Sequence, residues 1–332
     1  MRLCGAVVGS SLTGSVGAVI GRRALLIGGA LGLTGMAGCG VVNVTLPWNP
    51  PSPLPVAAAP DLPGQLARAR ALADHLIDHA EAWTLSARQV ASLRWFAKAV
   101  DAHARVLLSS DPARRQQVTT PLPSAKKVTT ATAKATYAAL TALLATLAAE
   151  HRARALPAEG EAALLWASLA AFSSTMATRL SVGFAKRGDD DTGLTPDLTA
   201  TTREKVLAMC LQAAYSYELA IAAPSLTADD QHLLQQRLRA WRTLRENVLA
   251  VGSEASAGPP PIGYDLRPAR NRAGAFALAV QTETAALPIF GGWVAGTAVK
   301  SERSVGVGAL AGANTALVRF GGNALRWPGW PA

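Results

Sequence analysis

The chain has 332 residues, half of them hydrophobic and only 5% aromatic, with a net charge of +10. That length admits one or two domains, and abundant alanine with few aromatics favours closely packed helices over a β-sandwich. No Gly-x-Ser-x-Gly, phosphate loop, dinucleotide fingerprint or Cys-x-x-Cys is present, which argues against the enzyme classes those motifs serve.

The first stretch with a clear reading is Gly21–Gly40. Arg22 and Arg23 precede an apolar run, Ala24–Met36, that glycines dilute and that is too short to span a membrane. Met36-Ala37-Gly38-Cys39 follows. A positive start, a short apolar region and small residues before a cut mark a signal peptide over residues 1–39. Cys39 is the expected lipid-attachment residue, and Met36-Ala37-Gly38-Cys39 resembles a bacterial lipobox. Gly21-Arg22-Arg23-Ala24-Leu25-Leu26 resembles a twin-arginine export signal, with an ordinary secretory signal as the alternative. The expected location is the outer face of the cytoplasmic membrane, held by a lipid anchor. Residues 1–20 add a second weakly apolar stretch, and a later start at Val16 or Val19 would remove it. Residues 1–39 contain Arg2, Arg22 and Arg23 and no acid, so the mature form carries +7. A basic mature body would be drawn to an anionic leaflet. Nucleic acid is not expected as a partner, since no basic-aromatic platform is present. With Cys4 removed and Cys39 acylated, Cys210 stands alone and no intramolecular disulfide forms.

Residues 40–63 read as a proline-rich tether in polyproline II. Residues 64–185 read as a first helical bundle. Its helices are expected over Gln65–Trp83, from the Ser86/Gln89 capping box to Leu107, over Thr130–Arg154 and over Glu159–Phe184, each with an apolar stripe at three- and four-residue spacing. Lys186–Leu198 is charged and turn-rich, and is the expected linker. Asp189-Asp190-Asp191 within it is better read as solvated than as a cation site.

Residues 199–332 repeat the plan. A helix capped by Thr201 and Glu204 carries Leu207, Cys210, Ala214, Tyr217 and Ile221 inward. One capped by Thr227 carries Leu234, Leu238, Trp241 and Val248 inward. A long loop follows, then a helix from Ala269 to Leu287 that Pro288 breaks or kinks, and a last helix from Ser301 to Leu325. Gly292–Gly296 and Gly308–Gly312 have small-xxx-small spacing and are expected to pack tightly against other helices. The fold class is therefore all-α, as two tandem four-helix bundles.

Residues 200–330 also carry Ala213-Ala214-Tyr215-Ser216-Tyr217, Trp241-Arg242-x-x-Arg245-Glu246, Tyr264-Asp265-Leu266, Glu283 and Arg326-Trp327-Pro328-Gly329. These resemble a ferritin-like domain of unknown function found in exported bacterial proteins. The resemblance implies inward glutamates and a Glu-x-x-His motif holding two metal ions. The chain departs from it: Cys210 and Leu211 stand where an acid and a histidine are implied, Trp241 replaces a histidine, and no Glu is followed by His three residues on. Glu218, Glu246 and Glu283 remain as metal candidates, with Glu246 also able to pair with Arg242 on its own helix. In the first half His75 and His79 stand at zinc-holding spacing, yet on the flanks of a face, carrying Asp74, Asp78 and Glu81, that reads as solvated. The expectation is a non-enzymatic binding or scaffolding lipoprotein with an unidentified protein partner and no cofactor. The alternative is a ferritin-type redox or storage protein holding iron or another divalent metal.

Overall fold

A computed structural model describes residues 61–109, 123–125, 127–185, 199–251, 264 and 266–330. Cys39, Arg22, Arg23, the tether up to residue 60 and the linker at 186–198 lie outside them. The described residues are all-helical: α1 (Leu62–Asp78), α2 (Ala87–Leu108), α3 (Ala133–Ala155), α4 (Gly160–Arg179), α5 (Arg203–Ile221), α6 (Ala228–Ala250), α7 (Arg272–Gly296) and α8 (Lys300–Arg319).

Local chemistry fixes the ends. Asp61 caps α1 by accepting from the Gly64 N–H, and Pro63, expected in the tether, lies in the first turn, where its missing N–H costs nothing. α1 stops at Asp78, short of Trp83, because residues 79–85 turn back through Thr84 in the left-handed region. Capping boxes start α2 (Ser86 with Gln89) and α6 (Thr227 with Asp230). The expected Thr201/Glu204 box is displaced by one residue: Thr202 caps α5, because the Thr201 N–H is already bonded to the Gly292 carbonyl. α7 runs through Pro288 to Gly296. Phe290, Trp293 and Val294 beyond the proline are buried, and their packing outweighs a helix penalty of about 3 kcal/mol. α8 ends at Arg319, where Gly321 takes a positive φ.

Each half uses one topology. α1 packs on α2 and α3, α3 on α4, and α2 reaches α4 through Trp95 and Phe96 against Phe172. Likewise α5 packs on α6 and α7, α7 on α8, and α6 on α8. The non-neighbouring pair α6 and α7 run parallel, since Arg272 meets Asp230 at one end and Phe290 stacks on Trp241 further along. The connections from α6 to α7, residues 251–271, and from α2 to α3, residues 109–132, are long in sequence.

The two halves share a boundary. α4 packs against both α7 and α8 and contributes to both apolar cores, with Leu164 and Leu169 in one and Phe172 and Met176 in the other. α4 and α8 run side by side in the same direction: Leu164 and Leu310 both flank Gly329, and Thr175 bonds Thr315 at 3.0 Å. Both threonines lie sixteen residues past their N-caps, Glu159 and Val299.

The small-residue motifs pack differently from one another. A Cβ at Gly292 would fall 2.5 Å from the Thr199 carbonyl oxygen, and one at Gly296 would meet Ala200. That face therefore holds the extended segment ahead of α5 and no helix. Gly308 has nothing within 4 Å, and Gly312 only the Arg237 guanidinium at 3.4 Å. The tight helix contact expected at Gly308–Gly312 is absent; this face borders a cleft.

Candidate functional site

The centre of the second half is polar. Glu283 of α7 is wholly buried. Its Oε1 accepts from the Tyr217 hydroxyl of α5 at 2.6 Å, from Arg237 Nε of α6 at 2.8 Å and from Trp241 Nε1 at 3.0 Å. Its Oε2 accepts from Arg237 Nη2 at 2.7 Å. Arg237 and Trp241 are four residues apart on one helix face, with the guanidinium 4.9 Å from the indole centroid. Beside them Ser216 and Thr282 share a 2.6 Å hydroxyl contact.

Four donors fill the acceptor capacity of one carboxylate. The guanidinium also neutralises its charge, which is what makes a fully buried carboxylate tolerable. Burial pushes the Tyr217 phenol far above its ordinary range, and the Glu283 charge pushes it the same way. For Arg237 burial works against the charge, but Glu283 outweighs it and raises the pKa. This is a closed ion pair in which the Tyr217 phenol and the Arg237 guanidinium hold their protons more tightly than usual.

The other glutamates lie elsewhere. Glu218 pairs with Arg242 at 2.7 Å on the surface, both side chains about half exposed; this is the partner expected for Glu246, which is exposed on α6. Among the described residues no group of three or more His, Cys, Asp or Glu is placed to hold a metal ion. His75 bonds the Thr130 carbonyl through Nε2, and His79 Nδ1 bonds the His75 carbonyl. The two rings and Trp83 form an aromatic cluster, His79 stacking on the indole at 4.8 Å. Asp78, His79 and Glu81 are exposed. Cys210 is buried, and burial pushes its thiol up to about 12, so it is inert as a nucleophile.

Sequence reasoning found Glu283 and Trp241 but missed Arg237, although Arg237 stands four residues before Trp241 and one before the buried Leu238. Trp241 is fully buried as expected, but its surroundings are polar where an apolar site was expected: its N–H is part of the cluster.

Position for position, the first half holds no such cluster. Fifteen residues past the N-cap, Tyr217 corresponds to Leu76. Ten and fourteen past, Arg237 and Trp241 correspond to Phe96 and Val100. Twelve past, Glu283 corresponds to Leu144. All four counterparts are buried hydrophobes. No protein-family model, no curated protein and no solved structure matches this chain.

Proposed function

We propose that the chain is a membrane-tethered helical lipoprotein, a non-enzymatic binding or scaffolding module on the outer face of the cytoplasmic membrane. In this reading it is built as two tandem four-helix bundles, the second a ferritin-like bundle whose metal site is eroded. The observation that carries it is Glu283. A glutamate at the middle of the third helix, facing the bundle axis, is what a ferritin-type site would use, but here a guanidinium sits where a cation would. The long connection between second and third helices supports the ferritin-like topology. The resemblance itself rests on sequence motifs, and the anchor on Cys39 with Arg22 and Arg23.

Metal analysis of untagged protein from its native host tests the central claim, with substoichiometric iron, manganese and zinc as the expected result. A stoichiometric metal would put a ferritin-type redox or storage protein in its place. For the anchor, Cys39→Ala releases the protein from the membrane or leaves an uncut precursor, because acyl chains contribute about 0.8 kcal/mol per buried methylene. A processed Cys39→Ala protein that stays on the membrane would refute it.

A further inference from the structure

The face carrying Gly308 and Gly312 borders a cleft of about 320 Å³ between α4, α6 and α8. Ser174, Gln236, Arg237, Thr315 and Arg319 line it beside Leu233, Phe320 and small residues. Arg237 is committed to Glu283, but Arg319 is not paired: among the described residues its one hydrogen bond is to the Gln236 side-chain oxygen, at 3.5 Å.

Arg237 and Arg319 line the cleft and no carboxylate does, so a bound anion would supply the counter-charge that Arg319 lacks. The cleft adds two hydroxyls and an amide, more donors than a carboxylate's two oxygens use and well suited to a tetrahedral oxyanion. Its volume of about 320 Å³ is at the lower end of those that hold small molecules. We propose that this cleft is a binding site for a phosphate-bearing anion, seated on Arg319, with Ser174, Thr315 and Gln236 as further donors. The proposal rests on the reading of the chain as a binding module and names the class of ligand it takes.

Calorimetric titration of the full chain in detergent tests it, at constant ionic strength, with inorganic phosphate, glycerol phosphate and dihexanoyl phosphatidylglycerol as probes. Saturable binding of at least one is expected. A preference for the soluble phosphates assigns a free metabolite-type ligand, and a preference for the phospholipid assigns a lipid headgroup. Losing one charge-assisted contact in Arg319→Gln weakens binding about tenfold or more. Gly312→Glu puts a carboxylate into the cleft beside Arg237 and abolishes binding, giving a second variant should the first fold poorly. No saturable binding of any probe, or equal binding by wild type and both variants, overturns the proposal. Metal content does not enter this titration, so a metal-loaded protein would sink the eroded-site reading and leave the anion site standing.

Discussion

Replacing Glu283 by glutamine changes one oxygen to an amide nitrogen and deletes a charge, with almost no change in volume. Four donors now point at the carboxylate, three at Oε1 and one at Oε2. Either orientation of the amide turns an NH₂ group towards at least one of them. Arg237, with a side chain only 15% exposed, loses its counter-charge and has little water to replace it. Breaking a buried pair from one side costs about 3–5 kcal/mol. At about 2–4 °C per kcal/mol for a body of this size, the melting temperature falls by roughly 6–20 °C. Circular dichroism melts in chelator-treated buffer measure it. The triple variant Tyr217→Phe, Arg237→Met, Glu283→Leu removes charge and partners together, leaving only the Trp241 N–H unpaired, at about 1–3 kcal/mol. It should therefore be more stable than the single variant. A Glu283→Gln protein within about 1 kcal/mol of wild type, or a triple variant less stable than the single, would refute the account of the cluster as a closed ion pair.

His103 and His151 set the acid limit. Burial first, with neighbouring positive charge, lowers them to about 3 and about 4, although His103 also bonds the Arg326 carbonyl. The unfolded chain takes up these protons below about pH 6.5 and the folded chain does not, so stability falls as pH drops from 6.5, by about 1.4 kcal/mol per pH unit for each histidine. The loss levels off below pH 4 for His151 and below pH 3 for His103; urea titrations against pH, in wild type and in His151→Leu, measure the slope, and an unchanged slope in the variant would count against it. Glycine substitutions separate the two faces. Gly291→Ala drives a Cβ to 2.0 Å from the Gly329 carbonyl oxygen and should cost about 1–3 kcal/mol in denaturant midpoint, whereas Gly308→Ala meets open space and should gain up to about 1 kcal/mol from helix propensity.

Helix order and inward faces were legible because they depend on periodicity. Leu234, Leu238, Trp241 and Val248 are buried as their spacing predicts. Helix ends were less legible. Whether Thr201 or Thr202 caps α5 depends on the Gly292 carbonyl ninety residues away, and whether Pro288 stops α7 depends on what packs beyond it. The site was half legible. A glutamate in an apolar helix signals itself, but its partner did not, since Arg237 lies in a helix with many charges and reads as surface. Gly308 and Gly312 misled for a related reason: small-residue spacing marks a face that permits close approach, and whether anything approaches is settled by tertiary structure.

Buried hydrocarbon suffices at the counterpart positions, so the polar cluster is not required for a closed core of this kind. The first half, at the same registers, packs Leu76, Phe96, Val100 and Leu144 with full burial, so this architecture closes well around hydrocarbon alone. A buried ion pair is at best neutral against such a core. Its retention in the second half fixes one arrangement of three helices, because only one register brings Tyr217, Arg237, Trp241 and Glu283 together. It also fixes Arg237, whose Nη1 reaches the cleft wall at Gly312 while its other nitrogens hold Glu283. The cluster thus sets the position of a cleft-lining cation from inside the core. It links the buried carboxylate of α7 to the cleft that Arg319 lines.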